Sequence, residues 1–229
     1  MSDTGETAKS AAETRAETLI RRQQRNLRKA RAEGFLAGIA AMLRPGDLAV
    51  DCGANVGVVT AVLAETGADV VCFEPDPYAF ARLSDRFADH PRVTLVNAAV
   101  GVGSGTVRLL RAVNFADNPA TASVKSTILE GGRQIDAEQG IDVPLVDFPG
   151  WLAARIAARG EVAFIKMDIE GAELALLEAL HAQGLLAAVR CLVAETHERK
   201  FRDLRPRYRA LRDTLAAAYP PGKVNLDWI

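Results

Sequence analysis

Apolar residues along this chain change their spacing at about residue 44, and the change separates two kinds of element. Over residues 8–43 good helix formers dominate, and Leu19, Ile20, Leu27, Phe35, Ile39, Met42 and Leu43 recur at intervals that weakly suit one helical face. Arg44-Pro45-Gly46-Asp47 ends that helix, because proline cannot continue it and glycine supplies a turn. Short continuous apolar runs follow: Leu48-Ala49-Val50, Val70-Val71-Cys72-Phe73, Val93-Thr94-Leu95-Val96, the run from Val162 to Met167, and Leu192-Val193-Ala194. Segments apolar on both faces read as buried parallel strands. Helical stretches lie between them over residues 58–65, 78–88, 148–159, 172–183 and 205–218, with Asp147 as the N-cap of the stretch over 148–159 and Pro149 in its first turn. Strand alternating with helix predicts an α/β fold: a doubly wound, mostly parallel sheet covered on both faces.

The rhythm fails between residues 101 and 142. Val107 to Leu110 resembles a strand, but residues 114–139 are polar and interrupted by Pro119, Gly131 and Gly132. A long irregular connection inside a compact domain is commonly a lid or a binding loop. Val143 to Val146 adds a strand, and residues 224–228 form a last edge strand. The 229 residues suffice for one substantial core. The expected division is a polar N-terminus and helical extension over 1–43 and one domain over 44–229.

Composition narrows the classes of partner. The formal net charge of −1 gives no whole-molecule attraction to nucleic acid or to an anionic membrane. Arg15, Arg21, Arg22, Arg25, Arg28, Lys29 and Arg31 line the polar side of the first helix, but Glu13, Glu17 and Glu33 interleave, so a solvated face is expected ahead of a nucleic-acid arm. Cys52, Cys72 and Cys191 each sit in an apolar run and read as reduced core thiols. Residues 1–18 carry no apolar stretch and no run approaches bilayer length, which predicts a cytoplasmic protein without a membrane partner.

The chemistry-bearing residues gather where strands end. Asp51-Cys52-Gly53-Ala54-Asn55-Val56-Gly57 follows the first strand directly, and glycines at 53 and 57 let a ligand approach the backbone. Asn55 stands where the dinucleotide fingerprint requires glycine, which speaks against a nicotinamide-dependent oxidoreductase. Asp51 and Asn55 suit instead a zwitterion such as the amino-acid end of S-adenosylmethionine. Glu74, after the second strand, stands where an acidic residue meets ribose hydroxyls, and Asn97-Ala98 after the third strand is placed on the adenine side.

Two further clusters follow. Phe164 and Ile165 are buried, and Lys166, Asp168 and Glu170 reach the carboxyl edge of the sheet before Gly171 turns the chain into a helix. Glu195-Thr196-His197-Glu198 ends the next strand, and His197 is a candidate general base. Lys166, Asp168, Glu170 and His197 are therefore the candidate catalytic residues. Asp168, Glu170, Glu195 and His197 offer oxygen and imidazole ligands to a divalent cation, but no spacing among them specifies one, and no metal is assigned.

Together PGDLAVDCGANVG, VVCFEPDP, VTLVNAAVG, FIKMDIEGAELALLEAL and LVAETHE, in that order over residues 45–198, resemble the FkbM family of methyltransferases. The resemblance implies the class I methyltransferase fold, a Rossmann-like seven-stranded sheet. It also implies S-adenosyl-L-methionine as cofactor and O-methyl transfer to a hydroxyl on a small molecule, sugar or secondary metabolite. By the same likeness the cofactor residues fall on Asp51, Gly53, Asn55, Gly57 and Glu74, and the signature on Lys166, Asp168, Glu170, Gly171 and Glu173. An RNA-modifying enzyme that uses the basic arm, and a cofactor-binding module without catalysis, are the rival readings.

Overall fold

The computed structural model describes residues 10–123, 126–130 and 135–228. Helix α1 (Ala11–Met42) opens on a capping box, in which the Ser10 side chain accepts from Glu13 N and the Glu13 carboxylate accepts from Ser10 N. At 1.5 Å per residue it is about 48 Å long. Ala32 and Leu36 in α1, and Leu43 just after it, are buried, whereas Leu19, Ile20 and Leu27 are 57%, 56% and 49% exposed. The apolar face expected along the whole helix thus meets the core only from Ala32 onward. Upstream, capping, helix propensity and the exposed pairs Glu17–Arg21 and Lys29–Glu33 support the helix.

Beyond the turn, β1 (Leu48–Cys52), α2 (Val58–Ala64), β2 (Asp69–Phe73), α3 (Pro77–Phe87) and β3 (Val93–Val96) build successive parallel crossovers. The alternation resumes with α5 (Phe148–Arg159), β7 (Val162–Met167), α6 (Glu173–Ala182), β8 (Val189–Ala194), α7 (Arg205–Ala218) and β9 (Val224–Asn225). These strands form a six-stranded sheet in the order β3-β2-β1-β7-β8-β9, parallel throughout. Every residue of β1 and β7 is buried, as continuous apolar runs require. Asp147 caps α5 by accepting from Gly150 N. The edge strand expected over 224–228 shortens to β9 and an antiparallel bridge between Glu195 and Asp227.

The sheet has six strands rather than seven because the middle of the chain leaves it. The segment β4 (Ala99–Gly101), β5 (Gly105–Ala112) and β6 (Ile135–Asp147), with the short helix α4 (Pro119–Ala122) between β5 and β6, makes a separate sheet in the order β4-β6-β5. Part of the stretch expected to be irregular is therefore strand. Its pairing with β5 is antiparallel and partly exposed, so backbone hydrogen bonds hold it and few apolar residues announce it.

Helices cover both faces of the main sheet. One face packs Val50 and Ile165 against Leu152, Leu177 and Tyr208 of α5, α6 and α7; the other packs Ala49 and Phe164 with Leu36, Leu63 and Leu83 of α1, α2 and α3. Chain order reverses direction between β1 and β7, and the crevice outside the carboxyl ends of the strands at such a switch point is where open α/β sheets bind ligands.

Gly57 shows how tightly this crevice is packed from behind. Its φ is +80°, and a Cβ would stand 2.5 Å from Phe87 and 2.7 Å from Leu83 of α3. Gly57→Ala combines a left-handed backbone with overpacking, and a loss of about 2–5 kcal/mol in urea unfolding is expected. Gly38→Ala, in α1 where an added Cβ meets nothing within 4 Å, serves as the control and is expected to gain about 0.5–1 kcal/mol. Equal midpoints for the two variants would contradict this packing.

Candidate functional site

A pocket partly open to solvent, spanning about 630 Å³ with that open space counted, lies over the carboxyl ends of β1, β2 and β7. Gly53, Asn55, Phe73, Glu74 and Ala98 form one wall, and Asp168, Ile169 and Glu170 form another. Val100, Leu109, Ser123, Ser126 and Ile128 close it from the second sheet and the connection after β5, so part of the stretch expected to be a binding loop does line the pocket.

The turn after β1 is fixed by its neighbours. Gly53 N and Ala54 N both donate to Phe73 O, at 2.9 and 3.1 Å. Gly53 has φ +76°, and a Cβ there would fall 1.8 Å from the Asp168 carbonyl oxygen. Glycine at 53 is thus demanded by the close approach of the chain after β7, in addition to any approach of ligand. Asn55 adopts φ +48°, rare for a residue with a side chain. Its Oδ1 accepts from Val56 N at 2.8 Å, and its own N–H donates to Glu74 Oε2 at 2.8 Å.

Glu74 is 5% exposed, and its other oxygen accepts from Asp76 N at 2.8 Å. Burial pushes its carboxyl up to about 7, outweighing the two backbone hydrogen bonds. Because the folded value is raised, the stability this group contributes is full below the ordinary carboxylate range and is lost as pH rises through about 7. Asp76 caps α3 and takes a bidentate pair from Arg111 of β5, both bonds 3.1 Å, and a 3.2 Å hydrogen bond from Ser126. These contacts fasten the second sheet over the pocket. An Asp before Pro is legible as a helix cap, but its partners lie far along the chain and have no signal in the sequence.

At the end of β7 the acidic residues divide by role. Lys166 is 4% exposed and donates to Gly53 O at 2.7 Å and Cys52 O at 3.4 Å. Its Nζ lies 3.3 Å from Asp51 Oδ1, in ionic contact without hydrogen-bond alignment, and 3.7 Å from Asp168 Oδ2. Burial works against the ammonium, but the charges of Asp51 and Asp168 prevail and its pKa is raised. Asp51 is wholly buried and accepts from Thr60 Oγ1 at 2.8 Å. It stands beneath the pocket floor, whereas the Asp168 side chain, 30% exposed, is on the wall.

Glu170 has φ +57°, and Gly171 has φ +116° with Phe201 packed where a Cβ would be. Glu173 organises this turn: fully buried, it accepts from Ile169 N at 2.9 Å and Gly171 N at 2.8 Å. Its Oε1 also meets His197 Nδ1 at 2.9 Å, and the acceptor-only carboxylate assigns the proton of that pair to Nδ1. The opposite edge of the ring then faces Glu170 Oε2 at 3.2 Å and, at 3.9 Å each, Asp168 Oδ1 and Glu195 Oε1. Burial disfavours the imidazolium, yet the Glu173 hydrogen bond and the surrounding carboxylates raise its pKa above the ordinary value. Lys200 pairs with Glu170. Glu173, legible in the sequence only as a first-turn charge of α6, is the residue that orients His197.

Of the residues expected at the site, Gly53, Asn55, Glu74, Ala98, Asp168 and Glu170 line the pocket. The others support it from outside the wall: Asp51 and Lys166 from below, Gly57 against α3, and His197 behind Glu170. Asn97 donates to the carbonyls of Glu74 and Pro75, at 2.8 and 3.3 Å, and so holds the end of β2.

The family described as "Methyltransferase FkbM domain" matches residues 51–219. The hexuronic acid methyltransferase AglP of Haloferax volcanii is 25% identical over 154 residues, which are 66% of this chain and 56% of that protein, so the chain spans little more than half of that relative. Among solved structures, TYW2 of P. horikoshii in complex with MeSAdo is 26% identical over 28% of this chain and 26% of its own, with a TM-score of 0.26. A SAM-dependent methyltransferase from Geobacter sulfurreducens in complex with S-adenosyl-L-homocysteine is 18% identical over 28% of each chain, with a TM-score of 0.25.

Proposed function

This chain belongs to the FkbM methyltransferase domain family, and from that premise we propose that its pocket binds S-adenosyl-L-methionine and that it methylates a hydroxyl of a small molecule or sugar. The observation that carries the reading is the placement of Glu74. Each of its oxygens accepts one backbone N–H, which leaves further lone pairs on a buried carboxylate for the paired hydroxyls of a ribose. Phe73, Ala98, Val100, Leu109 and Ile128 give the same pocket apolar walls suited to an adenine ring. The residues present therefore fit the cofactor. The likeness to a hexuronic acid methyltransferase supports a sugar among the acceptors.

When bound, the cofactor supplies an electrophilic methyl group on a sulfonium. The chain's own residues supply the rest. Asp168, the strand-tip carboxylate on the pocket wall, accepts the proton of the acceptor hydroxyl. Lys166 holds that carboxylate from below, and His197, with Nε2 3.9 Å from Asp168 Oδ1, flanks it. The second sheet, tied down through Asp76 and Arg111, covers one side of the pocket, and holding the acceptor in attack geometry there carries most of the rate.

Calorimetric titration with S-adenosyl-L-methionine tests the binding step. A protonated Glu74 offers fewer acceptor sites, so affinity is expected to rise roughly tenfold between pH 6 and pH 8, and Glu74→Gln to bind more weakly with that rise removed. Absence of binding in the unaltered chain overturns the proposal. Asp168→Asn is expected to lower turnover of an accepted sugar or small molecule by about 10²–10⁴-fold while cofactor affinity is nearly preserved. Undiminished turnover would remove Asp168 from the reaction.

A further inference from the structure

We infer that Asp168, Glu170 and His197 form a binding site for one divalent transition cation at the edge of the pocket. One ligand atom from each residue lies within 4.8 Å of the others. The imidazole Nε2 is 3.2 Å from Glu170 Oε2 and 3.9 Å from Asp168 Oδ1. Adjacent ligands around a cation bound at about 2.0–2.2 Å stand about 2.8–3.6 Å apart and opposite ones about 4.0–4.4 Å, so the His197–Glu170 spacing matches a coordination sphere and the Asp168 side chain closes by a few tenths of an ångström to join it.

The histidine separates this site from a mere accumulation of acids. His197 is 7% exposed and is held from behind, its Nδ1 on the fully buried Glu173, whose oxygens are themselves fixed by backbone N–H groups. A carboxylate that fixes the remote nitrogen of an imidazole is the usual outer support of a metal-binding histidine. With the proton on Nδ1, the Nε2 lone pair points toward oxygens of Glu170, Asp168 and Glu195. Lys200 on Glu170 and Lys166 beside Asp168 meet part of that negative charge from outside, and among the described residues no lysine stands between the three ligand atoms themselves.

A second proton on the ring would serve only one of those oxygens, and 3.9 Å is too long for a hydrogen bond to the other two. A cation serves all of them together. Lys200 shares Glu170 Oε2 and supplies part of the charge there, but it brings no ligand to the imidazole. A sulfonium likewise asks only for negative potential and has no use for a nitrogen lone pair. Two carboxylates and one imidazole suit Mn²⁺ among the common divalent ions, with the remaining coordination positions open toward the pocket. The binding site stands independently of the methyltransferase reading; only its bearing on methyl transfer rests on that reading.

The test is calorimetric titration of chelator-treated full-length chain with MnCl₂ in the absence of cofactor, with S-adenosyl-L-methionine titrated into the same preparation. One Mn²⁺ per chain is expected, weakened at least tenfold in Asp168→Asn and in His197→Gln, and unchanged in Glu178→Gln on the outer face of α6. Asp168→Asn keeps the test decisive where the buried histidine variant fails to fold. No Mn²⁺ uptake, or equal uptake by Asp168→Asn and the unaltered chain, overturns the site. Mn²⁺ bound without cofactor binding upholds the site and defeats the methyltransferase reading, and cofactor bound without Mn²⁺ does the reverse.

Discussion

The ammonium of Lys166 sits where the two central strands end, between Asp51 of β1 and the carboxylate of Asp168, and donates to the carbonyls of Gly53 and Cys52. Taking these charges out of water is unfavourable, and attraction offsets it only if geometry is good and the remaining hydrogen-bonding groups are met. Here the lysine links both halves of the pocket: the turn that carries Gly53 and Asn55, and the turn that carries Asp168 and Glu170. The absence of a Cβ at Gly53 lets these turns touch, since its place is taken by the Asp168 carbonyl. Pocket shape and pocket charge therefore have one origin.

Around that link the acidic residues fall into layers. Asp51 and Glu173 are fully buried and hold other groups in place, one through Lys166 and Thr60, the other through His197 and two backbone N–H groups. Glu74, Asp168 and Glu170 line the pocket. Left-handed backbone at Asn55 and Glu170, both on the wall, is strain that the surrounding contacts maintain, as is common where a site must present side chains at fixed angles. On the methyltransferase reading proposed above, the division between supporting and presented carboxylates lets one site bind a cationic cofactor and handle a proton without each acid acting alike.

Much of the fold was legible in the residues, for a physical reason. Strands β1, β2 and β7 are covered on both sides, so their sequences are apolar apart from Asp51, Asp69 and Lys166, and the helices between them are bounded by residues such as Asp147 that cap by short-range hydrogen bonds. The second sheet was not legible to the same degree, because β6 pairs through its backbone and exposes part of its length. At the site, chemistry could be read but direction could not. Asp51 and Asp168 both lie at strand ends, yet only Asp168 reaches the pocket, and the difference is set by Thr60 and Lys166. Contacts such as Asp76 with Arg111 and Glu173 with His197 join residues distant in sequence, and no local pattern encodes them.

Lys166 and Asp51 act as a buried pair that joins the two turns. A double-mutant cycle with Lys166→Met, Asp51→Asn and the double variant, read by urea unfolding, measures it directly. A coupling of about 2 kcal/mol is predicted, with Lys166→Met alone losing about 3–5 kcal/mol because it strands the Asp51 carboxylate. Additivity within about 0.5 kcal/mol would show that the two residues act independently and that the turns are not joined through them.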